Sequence, residues 1–166
     1  CIQQLHSAKI PNQHNFLHLK ELLTILDNDL AIPFDILSKA RQLRDDLLVS
    51  TDNDVLLHGD LHHDNILKHD DTWLVIDPKG FIGDPIFDVC AFIYNPIPEL
   101  FQQAKPTEII HDRVQSCASQ LGYTKQRIHD WLYVKSVLCW VWCLEDNMSA
   151  DCFIRFVNLL SEAEKT

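Results

Sequence analysis

The chain has 166 residues, 46% of them hydrophobic, and a formal charge of -10. That length and apolar content suffice for one sizeable core and do not suggest two independent domains. The acidic balance argues against nucleic acid or an anionic membrane surface as partner, because either would be repelled, and is easier to reconcile with a cationic substrate.

Cys1-Ile2-Gln3-Gln4-Leu5-His6 begins abruptly in what reads as part of a helix, and the only methionine is Met148, so a fragment of a longer protein is expected. Phe16, Leu19, Leu22, Leu23, Ile25 and Leu26 recur at helical spacing and predict a helix that ends at Asp27-Asn28-Asp29. A second helix is predicted from Phe34 to Leu48, with Ile36, Leu37, Ala40, Leu43, Leu47 and Leu48 on its buried face and Ser50 to Asp54 as its breaker.

Beyond residue 55 the period changes from helical to extended. Val55-Leu56-Leu57 reads as a short strand, and Ile66-Leu67-Lys68 and Trp73-Leu74-Val75-Ile76 flank the polar turn His69 to Thr72 as a β-hairpin. Asp84-Pro85 predicts a cap and first position for a helix to Tyr94, and Pro96, Pro98 and Pro106 bracket an irregular connection. Thr107 is the expected cap of a helix that Gly122 ends, and Thr124 that of a longer one to Glu145. In that longer helix Trp131, Leu132, Val134, Val137, Leu138, Trp140, Val141, Trp142 and Leu144 cover nearly every face, the mark of a buried helix. A last amphipathic helix is predicted after Ser149, which makes the fold class α+β and predominantly helical.

Cys1, Cys90, Cys117, Cys139, Cys143 and Cys152 form no CxxC pair, and most sit in apolar helical sequence, where free thiols act as small hydrophobes. Cys139 and Cys143, one turn apart, are read as core residues because no matching ligand pair appears elsewhere. No signal peptide is visible and no apolar run reaches the roughly 20 residues of a membrane span, so a soluble, cytoplasmic protein with reduced cysteines is expected.

The chemistry concentrates between residues 58 and 77. His58-Gly59-Asp60-Leu61-His62-His63-Asp64-Asn65 follows the first strand, and Asp77 closes the hairpin. An Asp, an Asn five positions on and an Asp at the end of the next strand are the groups that phosphoryl transfer to a hydroxyl requires. Asp60 is the candidate base, while Asn65 and Asp77 are candidate oxygen ligands for magnesium on the phosphates of a nucleotide. His58 and His62 are expected to hydrogen-bond backbone and shape the loop, and His63 and Asp64 to face the acceptor.

His58 to Leu67 (HGDLHHDNIL) resembles the catalytic loop of the aminoglycoside phosphotransferase family. Val75 to Asp88 (VIDPKGFIGDPIFD) resembles the form found in its streptomycin 6-phosphotransferase and hydroxyurea phosphotransferase branch. Fainter agreement extends to Leu5-His6 and to Trp142 through Asp146. The resemblance implies the C-terminal lobe of a protein-kinase-like fold over residues 1–166, with Asp60 as base, Asn65 and Asp77 on magnesium, and ATP as donor. It further implies that Asp88 bonds the backbone of the catalytic loop as an anchor, and that Glu145 and Asp146 bind a cationic group of a small-molecule substrate.

The sequence departs from a whole kinase in one respect. None of Gly59, Gly80, Gly83 and Gly122 forms a glycine-rich phosphate loop, and no strand lysine is matched to a helix glutamate. An N-terminal nucleotide-binding lobe outside this chain is therefore expected, as are weak ATP binding and little turnover by this chain alone. Lys79 is placed to touch phosphate but not to replace the missing lysine. Two rivals stand beside the kinase reading: a non-catalytic pseudokinase, and a metallophosphoesterase built on Asp60-Leu61-His62, which lacks the Gly-Asn-His-Asp element such an enzyme needs.

Overall fold

The computed structural model describes residues 2–163, so Cys1 lies outside the described residues. The elements are two small sheets, of three and two strands, and a set of packed helices. In chain order the elements are α1 (Ile2–His6), β1 (Leu17–His18), α2 (Leu19–Leu22), a 3-10 turn (Leu23–Asp27), α3 (Phe34–Val49), β2 (Val55–Leu57), a second 3-10 turn (His63–Asn65) and the hairpin β3 (Ile66–His69) and β4 (Thr72–Val75). They continue with β5 (Phe81–Gly83), α4 (Ile86–Tyr94), α5 (Ile97–Leu100), α6 (Pro106–Leu121), α7 (Lys125–Glu145) and α8 (Asp151–Ala163).

The three-stranded sheet has the order β1-β5-β2, with β1 parallel and β2 antiparallel to β5. Its register sets Leu57 opposite Phe81, so the chain leaving β2 and the chain entering β5 meet at one edge. The hairpin pairs Ile66 with Val75 and His69 with Thr72, which carries the residues just before β3 next to those just after β4.

The helical body is organised around α7. Trp131, Leu132, Val134, Val137, Leu138 and Val141 are all buried, and α3, α4, α6 and α8 pack against different faces of this one helix. Phe87 meets Trp131 edge-on, and Tyr94 meets Phe153 and Phe156 in the same way, so aromatic contacts join α4 to α7 and α8. Thr124 accepts from the Arg127 N–H at 3.2 Å as the cap of α7, and Gly122, at φ 77°, supplies the left-handed residue that ends α6. Asp84 Oδ1 accepts from the Ile86 N–H at the start of α4, as the Asp84-Pro85 pair predicts. Its Oδ2 accepts from Arg127 Nη2 at 2.5 Å and Trp131 Nε1 at 2.8 Å, a buried charge fully engaged by the opposite helix.

Three expectations differ from the structure. The predicted first helix is divided, because Leu17 and His18 pair with Phe81 and Ile82 as a strand and the His18 ring accepts from the Lys20 N–H, starting the helix only at Leu19. α6 begins at Pro106, whose missing N–H is harmless at a first helical position, so Thr107 is not its cap. The proline-bracketed connection contains the short helix α5, with Pro98 in its first turn. Among the described residues no helix is long and apolar enough to cross a membrane.

Candidate active site

The loop from β2 to the second 3-10 turn is held from below by α4. Asp88, fully buried in the first turn of that helix, accepts from the backbone N–H of His58 at 2.9 Å through Oδ2 and of Gly59 at 2.7 Å through Oδ1. His6 donates its ring Nε2–H to the same Oδ2 at 3.0 Å, tying α1 to the anchor. Burial alone would push the Asp88 carboxyl up. The His6 hydrogen bond, the Lys135 charge and the two loop N–H groups outweigh it and hold the group below the usual carboxylate range.

Gly59 requires its residue type. Its φ is 87°, and a Cβ there would stand 2.6 Å from the Phe81 ring. With the backbone turned this way, Asp60 projects into a cavity of about 560 Å³ whose walls include Tyr94, Trp142, Phe153 and Asp146. Its carboxylate is partly exposed, with His62 Nε2 at 3.8 Å.

Asn65 is buried, and its Nδ2 donates to the Asp60 carbonyl at 2.9 Å and lies 3.2 Å from His62 Nε2. The Asn65 carbonyl accepts from the Ile76 N–H at 3.1 Å, extending the hairpin ladder by one step. Asp77 is therefore the immediate chain neighbour of a residue bonded to Asn65. Asp77 has φ 56°, which a non-glycine residue adopts at a cost of about 1 kcal/mol, least for Asn and Asp. Its carboxylate is 72% exposed, with Lys79 Nζ at 3.5 Å. Lys79 in turn lines the Asp60 cavity.

The expected residues divide into two groups. His58, Asp60, Asn65 and Asp88 are linked through the loop's hydrogen bonds, Asp146 lines the same cavity as Asp60, and Asp77 follows Ile76, whose N–H and carbonyl bond Asn65 and His58. His63, Asp64 and Glu145 do not join them. His63 stacks on Phe92 at 4.5 Å and lines a separate apolar cavity with Leu61 and Trp73; burial and the Arg113 charge lower its pKa. Asp64 is almost fully exposed beside it, and Glu145 is exposed at the end of α7. The one-turn geometry of the 3-10 segment explains this: residues 63 and 64 point away while Asn65 turns back to Asp60. Cys139 and Cys143 are buried, and burial lifts the Cys139 thiol to about 11, as befits packing groups.

Lys135 was not anticipated. It is 1% exposed, and its Nζ donates to the Gly59 carbonyl at 2.9 Å and the Phe87 carbonyl at 3.2 Å. The available signal was a single cation inside the otherwise apolar run from Trp131 to Leu144. Among the described residues no three His, Cys, Asp or Glu side chains gather as a metal-binding group, whereas a two-metal phosphoesterase would need such a set.

Residues 26–147 match the family of aminoglycoside/hydroxyurea antibiotic resistance kinases. The chain belongs to this family. It is 34% identical over 95 residues to the streptomycin 3''-kinase of Klebsiella pneumoniae, covering 54% of this chain and 35% of that protein. It is 30% identical over 104 residues to the streptomycin 6-kinase of Streptomyces glaucescens, covering 62% of this chain and 34% of that one. The chain thus spans about a third of the length of these relatives. A solved choline/ethanolamine kinase family protein from Mesorhizobium loti superposes with a TM-score of 0.61 over 99% of this chain and 57% of its own, at 14% identity. That likeness shows the kinase-like fold. In this antibiotic resistance kinase family member the α+β, mainly helical architecture agrees with the fold class read from the sequence.

Proposed function

We propose that this chain is the C-terminal, catalytic and substrate-binding lobe of an ATP-dependent phosphotransferase that phosphorylates a hydroxyl group of a small molecule. An N-terminal lobe supplies the rest of the nucleotide site, so this chain alone binds Mg-ATP weakly and turns over little. The observation that carries the reading is the placement of Asp60 at the cavity mouth on a loop gripped by Asp88, with Asn65 and the Asp77 segment bonded beside it.

Asp60 accepts the hydrogen bond of the acceptor hydroxyl and orients its oxygen toward the terminal phosphorus. As the new O–P bond forms and the bond to the ADP oxygen breaks, Asp60 takes the hydroxyl proton late. Asn65 and Asp77 offer only oxygen ligands, one neutral and one charged, which fits magnesium. Both Asn65 contacts use Nδ2, so its Oδ1 is the atom for the metal. A magnesium ion held by these two side chains would supply positive charge against the phosphates.

The acceptor we propose is a cationic small molecule, an aminoglycoside such as streptomycin, in an antibiotic-resistance role in the cytoplasm. The named substrates of the relatives and the carboxylate of Asp146 on the cavity wall support it. A phosphorylation screen of the full-length protein against streptomycin, other aminoglycosides and small alcohols tests the reading. Asp60→Ala is expected to lower turnover by orders of magnitude with nucleotide affinity kept, and Asp77→Ala to abolish magnesium-dependent nucleotide binding. An Asp60→Ala enzyme as active as its parent removes Asp60 as base.

A further inference from the structure

Lys135 is a buried cation in the middle of α7, the helix around which the core is packed, and stability does not account for it. Burying an ammonium group costs several kcal/mol, and replacing a buried ion pair by apolar residues of like volume is often neutral or stabilising. A Met or Leu at this position of α7 would serve the core at least as well. The groups it touches point elsewhere.

Its Nζ donates to the Gly59 carbonyl and the Phe87 carbonyl and stands 4.0 Å over the Phe87 ring. The Gly59 carbonyl belongs to the peptide that joins Gly59 to Asp60. Asp88 holds the N–H of the same Gly59. Both backbone polar groups of one glycine are thus taken by buried groups of opposite charge on two different helices, α4 and α7. Gly59 is also the residue whose positive φ aims Asp60, and a glycine by itself crosses easily between backbone conformations. The N–H anchor fixes one side of the residue, and without Lys135 the next peptide keeps only the longer 3.3 Å contact of its Asp60 N–H with His58 Nδ1.

We propose that Lys135 is a positioning residue that completes a two-sided clamp on Gly59 and thereby fixes the direction in which Asp60 faces the acceptor. The clamp is close to electrically balanced, since the charge of Lys135 also favours the Asp88 carboxylate. It therefore orients the loop without adding a net charge beneath the base.

Two measurements on the full-length protein test this, and only the first rests on the phosphotransferase reading. Lys135→Met keeps the stem and removes the charge and donors; it is expected to lower kcat at least thirtyfold with KM for Mg-ATP within twofold. Lys135→Arg, which keeps charge and donors on a bulkier head, is expected to fall between the two and covers the case in which Lys135→Met does not fold. Hydrogen exchange of the Gly59 and Asp60 amides needs no acceptor; it is expected to accelerate at least tenfold in Lys135→Met, or measurably in Lys135→Arg, relative to amides of α8. A folded variant with parental kcat, or with parental exchange at these amides, overturns the clamp. A parent that phosphorylates nothing refutes the kinase reading and leaves the exchange experiment to decide on Lys135.

Discussion

His58 joins the loop that carries Asp60 to the segment that presents Asp77. Its ring Nε2–H donates to the Ile76 carbonyl at 2.8 Å, its Nδ1 lies 3.3 Å from the Asp60 N–H, and its own carbonyl accepts from the Lys79 N–H at 2.7 Å. One fully buried side chain and its backbone thus span the two halves of the site. These contacts demand a proton on Nε2 and a lone pair on Nδ1.

His58→Ala is expected to remove this bridge and leave the Ile76 carbonyl short of a donor. The combined cavity and lost hydrogen bond should cost about 2–4 kcal/mol, read from denaturant unfolding. In the full-length protein kcat should fall more than tenfold in the folded fraction, because Asp60 and Asp77 lose their common support. A folded His58→Ala protein with parental kcat would show that the two segments keep their relation without it.

Asp88 predicts how stability responds to acid. Its folded pKa is lowered by His6, Lys135 and the loop N–H groups against the opposing effect of burial, so the charged form is what the fold binds. A lowered value contributes stability that is present above the unfolded carboxylate pKa of about 4 and is lost as pH falls from there through the folded value. Asp88→Asn should flatten the stability profile across that acidic window and lower stability at neutral pH by about 3 kcal/mol, because Lys135 loses its buried counter-charge. Unfolding free energies measured between neutral and strongly acidic pH decide it; parallel profiles for parent and variant would contradict the assignment.

The parts of the molecule legible in its sequence are those where one local rule dominates. The Phe34 helix, the hairpin, Thr124 as a cap and Gly122 as a stop follow from periodicity and terminal chemistry within a few residues. What could not be read depends on distant pairing. Leu17 and His18 are a strand only because Phe81 and Ile82 lie beside them, and that register is set some sixty residues away in the chain. The site shows the same division. Asp60, Asn65 and Asp77 carry a spacing pattern, and Asp88 carries a resemblance. Lys135 carries neither, since its partner is a backbone carbonyl on another element. His63 stacks on Phe92 beside a separate cavity, a direction that sequence adjacency to Asp60 does not encode because it depends on how the 3-10 turn points each side chain.

Ser136 follows Lys135 and contrasts with it. Its hydroxyl is buried and has no hydrogen-bond partner among the described residues. A buried hydroxyl without a partner costs about 1–3 kcal/mol relative to one left in water, and alanine fits the same space with only a small loss of packing. Ser136→Ala should therefore be as stable as the parent or more so, by up to about 1 kcal/mol. A clear loss of stability on thermal or denaturant unfolding would mean that the hydroxyl has a role in the fold that its surroundings do not reveal.

Asp146 and Glu145 are adjacent in sequence and differ in placement. Both are exposed, but Asp146 lines the cavity with Asp60, Trp142 and Phe153 and Glu145 does not. A carboxylate at the rim of a concave cavity stands closer to a bound cationic acceptor than one outside it, although water and salt screen both. Asp146→Asn is expected to raise KM for a cationic acceptor about tenfold, equivalent to about 1.4 kcal/mol, with KM for Mg-ATP unchanged. Glu145→Gln should leave both within twofold. Steady-state kinetics of the two variants in the full-length protein, at low and high salt, separate the two carboxylates. Equal effects of both substitutions would mean that the acceptor senses the acidic surface as a whole, and no effect of Asp146→Asn would move recognition of the cation off this wall.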